Sequence, residues 1–418
     1  MSKHVAVIGA GVIGLCTAVY CIERGWRVTV VERNGETRDG CSFGNGGMIV
    51  PSHIVPLAAP GAVTQALKWM LQPSAPFHIK PRASWPLVDW GLKFWQAANA
   101  EHVRRAAPLL RDLNLASRGC YQDLAAATDG DIEVRLTGTL MLCKTRHALD
   151  EEAKTAQLAR ELGMEAHVLD ARATAALDPG TRMDVVGAVH FPLDASVTPD
   201  RLIYTLQRRA REHGARFRWS TGVTGFRVEN RALRALTTAT GDVIEADEFV
   251  LAAGAWSGRL AQELRLGLPM QAGKGYSLTL SRPRVQPRHC AILVEARVFV
   301  SPMGEALRIG GTMEMAGLDE TVKPIRVRSI VEAMPRYYPD FEPADFGRLD
   351  AWRGLRPCSP DGLPYIGRSK HVSNLVIAAG HAMMGVSLAP ITGKLVAQTL
   401  AGERPDIDLS LLSPDRYN

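Results

Sequence analysis

Few cysteines, no run of like charge and no long apolar stretch mark this sequence, and each lack removes a class of protein. Seven cysteines (Cys16, Cys21, Cys41, Cys120, Cys143, Cys290 and Cys358) are scattered, odd in number and never spaced C-x-x-C. Neither a zinc site nor a disulfide framework is expected, and reduced cytoplasmic thiols fit best. The 49 basic and 43 acidic residues leave a net charge of +6 without a polybasic run, which argues against a nucleic-acid partner and still suits an anionic cofactor or an anionic membrane face. The longest nearly uncharged run, 375–393, is interrupted by Gly380, His381, Gly385 and Pro390, so no membrane-spanning helix is predicted. The opening residues lack the basic, apolar and small pattern of a secretory leader. A cytoplasmic protein is expected, soluble or peripheral at the inner face of the cytoplasmic membrane.

What is present points to a nucleotide. At 418 residues the chain exceeds one compact core, so two domains or one large domain with an insertion are expected. The first thirty-three residues, "HVAVIGAGVIGLCTAVYCIERGWRVTVVER" with their leader, read as strand, glycine turn, helix and strand. In "GAGVIG", Gly9 makes the tight turn, Gly11 lets the backbone approach a pyrophosphate and Gly14 permits close helix–strand packing, with Val12 and Ile13 opening the helix toward the phosphates. Glu32, 18 residues after Gly14, can accept hydrogen bonds from both ribose hydroxyls of an adenosine, which argues against a 2′-phosphate. Arg33 follows it.

The chain then departs from a regular run of further strand–helix units. "RDGCSFGNGGMIVPS" brings Gly40, Gly44, Gly46 and Gly47 together with Ser42, Asn45 and Met48, a loop able to hold backbone N–H groups against a second flat ligand. Two distant apolar segments end in small residues: "DEFVLAAGAWSG", carrying Ala253, Gly254 and Trp256, and "NLVIAAGHAMMGVSLAPITGKLVAQTLAG", in which the turn from Gly380 to Gly385 leads into a helix. That helix N-terminus would favour negative charge on a reduced flavin.

These motifs, with "KGYSLTL" and "RGLRP…DGLPYIG", resemble the FAD-dependent D-amino-acid oxidase and dehydrogenase family, most of all its bacterial D-amino-acid dehydrogenase branch. The loop "SFGNGGMIVPSHIVPLAAPG" is similar to the branch acting on D-proline or cis-4-hydroxy-D-proline. The resemblance implies an α/β fold: a Rossmann-like FAD domain (1–50, 145–260 and 345–418) of the glutathione-reductase type, interleaved with an antiparallel-sheet substrate or cap domain (51–144 and 261–344). It implies FAD, held by the residues above together with Val223 near the adenine and His381, Met384 and Gly385 near the ring. No covalent flavin attachment is expected.

By the same resemblance, Arg356 grips the substrate carboxylate, which suits a guanidinium fork because it fixes position and rotation together. Hydride would pass from Cα to flavin N5 without a protein base. The other use for Arg356 is a structural pair with Asp361. Arg353 is expected to face solvent or a backbone carbonyl. Tyr276 is either a second carboxylate or lid contact or a core residue, and Lys274 either a site residue or a surface lysine. In "EARVFVSP", alternation places Glu295, Arg297 and Phe299 on one face, with Phe299 as a substrate wall or core. His53 either touches the substrate or is a structural turn histidine, and Met48 and Met384 give an adaptable apolar wall. Residues 67–95, with four tryptophans among lysines and arginines, read equally as a membrane- or quinone-facing surface and as a helical cap. Electrons would pass to a quinone or another carrier rather than to oxygen. An oxygen-using oxidase and an electron-transfer subunit without substrate chemistry are the alternatives, and an intact Arg356 and Tyr276 argue against the second.

Overall fold

The computed structural model describes residues 2–70, 75–80, 82 and 84–418. The first strand, His4–Ile8, is almost wholly apolar because it is covered on both faces, as a central parallel strand must be. It lies between Arg27–Val31 and Glu248–Leu251, in parallel register with both. The full order of this six-stranded sheet is Tyr365–Arg368, Leu375–Ala379, Glu248–Leu251, His4–Ile8, Arg27–Val31 and Arg216–Arg218, with the first strand antiparallel to its neighbour. Helices Val12–Glu23, Pro199–Glu212 and Ala389–Ala401 supply buried faces to the core of this half, and a three-stranded antiparallel ribbon, Val223–Glu245, is attached to it.

The second half is a nine-stranded sheet. Its path runs Trp352–Cys358, Gln271–Leu280, Ala306–Met315, Val298–Met303, Cys290–Leu293, Thr139–Cys143, Gly187–Phe191 and His167–Asp170, and Phe77–Ile79 joins Ala306–Met315 from the side. Helix Pro324–Tyr337 covers one face, burying Tyr276, Leu278, Val298, Val300 and Ile309 against Ile330 and Met334. The strands expected in "TGTLMLCKT", "GYSLTLS", "ARVFVSP" and "ALRIGGTM" all fall in this sheet.

Three expectations need correction. The sheets do not divide at the expected boundaries: 167–170 and 187–191 pair into the large sheet, and so does Trp352–Cys358, whereas the long helix Ala100–Ala126 buries Leu110, Leu113 and Tyr121 in the core of the dinucleotide half. Sheet membership is set by pairing with strands remote in sequence, which local pattern does not record. The alternation in "EARVFVSP" begins only at Val298, because Arg297 sits in a turn with φ +54°. The helix after Gly380 starts at Ala389, after a short 3₁₀ turn at Ala382–Met384.

Candidate functional site

A cavity of about 500 Å³ opens along the ends of the parallel strands. It is lined by Gly9, Gly11, Val12 and Ile13, by Glu32, Arg33, Val223 and Trp256, and by Leu355, His381 and Val386. Two glycines of the first motif act through packing. A Cβ on Gly9, whose φ is +109°, would stand 2.5 Å from the Ala252 carbonyl oxygen, and one on Gly14 would stand 2.0 Å from that of Gly9. Gly11 begins the helix without a side-chain cap of its own, so the first-turn N–H groups look into the cavity. The Val12 N–H donates to Ser42 Oγ at 3.2 Å, which brings the second glycine loop against the helix start.

Glu32 is buried, and each of its oxygens accepts one backbone N–H, from Ala10 at 2.8 Å and from Asn34 at 2.9 Å. The carboxylate therefore ties the glycine turn to the end of its strand and keeps further lone pairs for a ligand hydroxyl. Arg33 stacks over Trp256 at 3.4 Å, and both line the cavity with Val223. Arg38, not singled out from the sequence, donates to the Ala10 carbonyl at 2.9 Å and to Gln207 at 2.8 Å; its place in "RDGCS", directly before the loop, was the available signal.

Arg356 lies in the edge strand Trp352–Cys358, opposite Gly273. Its Nη1 donates to the Thr312 carbonyl at 2.7 Å, and among the described residues no carboxylate is in ion-pair reach of it. Burial lowers its pKa. Asp361, the alternative partner, is taken by Arg416 at 2.7 and 2.9 Å. The space for the Arg356 fork exists because residue 275 is glycine: a Cβ there would fall 2.2 Å from Nη1 and 2.3 Å from Nη2. Thr312, a β-branched residue held at φ +67°, lies where the register of Ala306–Met315 slips against Gln271–Leu280. Its carbonyl is turned toward the guanidinium as a result.

The face of the large sheet that carries Arg356 also holds the second glycine loop. Ser277 Oγ donates to the Gly44 carbonyl at 2.9 Å, and buried Arg308 donates to the carbonyls of Phe43 and Asn45 at 2.8 and 3.0 Å. Phe299 packs its ring on Gly46 and Gly310, and Trp352 is wedged between Gly44 and Gly354, where added Cβ atoms would lie 2.1 Å from its ring. Sequence reasoning missed Ser277, Arg308 and Trp352 because each looks like an ordinary strand residue until cross-strand register puts it on this face.

Tyr276 takes the opposite face. It is buried, with its hydroxyl donating to Glu314 at 3.0 Å, beside fully buried Lys274. Burial opposes ionisation of Glu314, but Lys323, the Tyr276 hydroxyl and Lys274 outweigh it and hold the carboxyl below its ordinary pKa. Strand alternation puts this cluster on the other face from Arg356, and Lys274 is buried where a surface lysine was one expectation. Arg353 pairs with Asp39 and, at 3.5 Å, with Glu320, where solvent or a backbone carbonyl was expected.

Residues 4–399 fit the model of the FAD-dependent oxidoreductase family described as DAO. The chain belongs to that family. Its sequence is 33% identical to a D-amino acid dehydrogenase of Vibrio atlanticus (strain LGP32), over 99% of this chain and 100% of the relative. A D-amino acid dehydrogenase of Bradyrhizobium diazoefficiens is 30% identical, over 99% and 98%. Among solved structures, the fold is similar to glycine oxidase from Geobacillus kaustophilus, with a TM-score of 0.79 at 23% identity over 100% of both chains. It is also similar to L-proline dehydrogenase from P. horikoshii, at 0.75 and 18% over 100% and 98%.

FAD is thus the cofactor, and the residues present fit it. A cavity of about 500 Å³ lined by the glycine turn, by the helix start whose N-cap is a glycine and by the Glu32 carboxylate offers the kinds of group that an adenosine and a pyrophosphate need. The expected positions divide into two groups. Ser42, Asn45, Ala253, Gly254, His381 and Gly385 line the cavity with those already named. Gly14, Gly46, Gly47 and Gly380 instead shape its frame. A Cβ on Gly47, at φ +66°, would meet the Val197 carbonyl at 2.0 Å, and one on Gly380, at φ +78°, the Tyr365 ring at 2.7 Å. His381 is buried against Thr392 at 3.0 Å, and burial pushes its pKa down to about 3, so a neutral imidazole faces the cavity. Met384 departs from the expected wall, since it packs into the core, while Met383 is exposed. Met48 pairs with Ser196 in a two-strand ladder. His53 stands 3.4 Å from Ser52 Oγ, with burial lowering its pKa to about 4.

Proposed function

We propose that this flavoenzyme oxidises D-amino acids as a dehydrogenase, with cyclic D-imino acids such as D-proline or cis-4-hydroxy-D-proline as the favoured substrates and a quinone or similar carrier as the electron acceptor. FAD, when bound, supplies the chemistry by accepting the hydride from the substrate Cα. The observation that carries the reading is Arg356, a guanidinium with no carboxylate partner on the sheet face that holds the flavin loop. A carboxylate is the group such a fork lacks, and its grip would leave one Cα hydrogen presented for transfer, so handedness follows from geometry. The relatives named as D-amino acid dehydrogenases support the substrate class. Phe299, packed on Gly46 and Gly310, offers an apolar wall suited to a ring amine with few donors.

Anaerobic mixing with a panel of D-, L- and cyclic amino acids tests the reading through bleaching of the flavin. D-Proline and its 4-hydroxy relative are expected to reduce it fastest; reduction by L-amino acids alone overturns the assignment. Re-oxidation should be fast with a quinone analogue and slow with oxygen, and peroxide formation at the rate of dye reduction would mark an oxidase instead.

A further inference from the structure

Behind the strand that leaves room for Arg356 lies a group of charges shut away from solvent. Lys274 and Glu314 are each 0% exposed and Tyr276 is 1% exposed. Lys274 Nζ stands 3.7 Å from Glu314 and 3.3 Å from Asp319, and it donates to the Thr321 carbonyl at 2.8 Å. One oxygen of Glu314 accepts the Tyr276 hydroxyl at 3.0 Å, and the other meets Lys323. A buried ion pair of this kind stabilises a fold little, or not at all, relative to apolar side chains of the same size. Its place in the strand ladder supplies a better reason for it.

Lys274 and Glu314 are direct partners across strands Gln271–Leu280 and Ala306–Met315, and the next pair along is Tyr276 with Gly311. Between these two pairs Gly275 alone faces both Thr312 and Met313, which makes a β-bulge. The cluster brackets that bulge from the back of the sheet: the Lys274–Glu314 pair closes one side, Tyr276 stands on the other, and its hydroxyl reaches across to Glu314.

Inside the bracket are the two residues that hold Arg356 on the front. Gly275 gives the fork its room, and Thr312, at φ +67°, presents the carbonyl that accepts Nη1 at 2.7 Å. A β-branched residue is disfavoured in that backbone region and stays there only where its surroundings impose it. The segment after the bulge adds a second hold. Asp319 and Thr321, both bonded to Lys274, flank Glu320, which stands 3.5 Å from Arg353 in the strand of Arg356 itself.

We propose that Lys274, Tyr276 and Glu314 are positioning residues for the substrate carboxylate: from the opposite face of the sheet they fix the bulge whose Thr312 carbonyl and Gly275 gap set the angle of the Arg356 fork. They act through Arg356 and not on the substrate. This role rests on Arg356 being the carboxylate grip, and the two can fail separately.

The test uses the FAD-loaded protein and propionate, an unreactive carboxylate whose binding is read as a change in the flavin spectrum. Lys274→Met/Glu314→Gln removes the two buried charges together, and the partners left behind, Asp319 and Lys323, reach solvent. The double variant should keep the parent's FAD content and melting temperature but bind propionate on the order of 10-fold more weakly. Tyr276→Phe leaves Glu314 with both lysines, so it carries the test where the double variant does not fold; it should weaken propionate by roughly 3-fold. In an Arg356→Lys background, where no fork remains to be aimed, the same cluster changes should cost less than about 2-fold. Parent-like propionate binding in the cluster variants, with weak binding in Arg356→Met, overturns the positioning role and leaves the carboxylate grip standing. A loss of full size in the Arg356→Lys background also overturns it, since the cluster would then loosen the site without acting through the fork. Parent-like binding in Arg356→Met overturns the grip and this role with it.

Discussion

Arg356 shows how much one side chain depends on its neighbours' lack of one. The Thr312 carbonyl takes one N–H, and glycine at 275 leaves room for the fork. Arg356→Met should keep fold and FAD but lose substrate binding by about 2–5 kcal/mol, with Arg356→Lys intermediate because it keeps charge without the fork. Single-turnover flavin reduction against substrate concentration checks this, and parent-like kinetics in the Met variant would make Arg356 structural. Gly275→Ala makes a separate test. The three atoms nearest the added Cβ all belong to the movable end of Arg356, so the melting temperature should change little, whereas displacing the fork by about 1 Å should cost on the order of 10²-fold in the reduction rate at low substrate. Asp194 titrates in an informative way. Burial raises its pKa to about 7, against the pull of the Ser52 hydroxyl and N–H. A carboxyl raised on folding contributes stability that is present below its unfolded pKa of about 4 and is lost as pH rises through the folded value. The stability of the parent relative to Asp194→Asn should therefore fall between pH 4 and pH 8, and parallel melting curves across that range would place Asp194 in a solvated setting.

At the level of elements, the C-terminal segment fastens the turn that ends the arginine strand. Arg416 meets both Asp361 oxygens and donates to the carbonyls of Leu363, Pro364 and Ser413. Burial alone would raise the Asp361 pKa, and the Arg416 guanidinium overrides it, leaving the carboxyl below its usual value. Arg416→Ala strands a buried carboxylate and should destabilise by about 3–5 kcal/mol, seen as a lower denaturant midpoint; a midpoint equal to the parent's would show that water replaces the guanidinium. The large sheet has a similar division of labour. One face, with Tyr276 and Lys274, belongs to helix Pro324–Tyr337 and the Glu314 cluster. The other, with Ser277, Arg308 and Phe299, holds the glycine loop. A difference of one residue in position separates site from core.

Across the whole molecule, the cofactor cavity lies where segments from the beginning, middle and end of the chain meet, so FAD should act as a clasp. Saturation at about 100 times its dissociation constant adds about 2.7 kcal/mol to stability. Glu32→Ala loosens the tie between Ala10 and Asn34 and removes the carboxylate proposed for the ribose. It should lower FAD retention and the melting temperature together, and undiminished flavin content after gel filtration would remove Glu32 from the site. Acid precipitation of the parent should release all the yellow cofactor, because no residue has been assigned to its attachment.

Local sequence determined the dinucleotide turn, its acid and several strands of each sheet, because glycine spacing and apolar alternation act over a few residues and survive without context, while Arg356 as the carboxylate grip to be tested came from the family resemblance. Tertiary structure alone decided that Asp361 belongs to Arg416, that Tyr276 turns away from Arg356, that Met384 packs inward and that 167–191 joins the far sheet. Each of those outcomes depends on register between strands, or on contacts between residues, remote from each other in the chain, and a one-residue change of register would have reversed the faces.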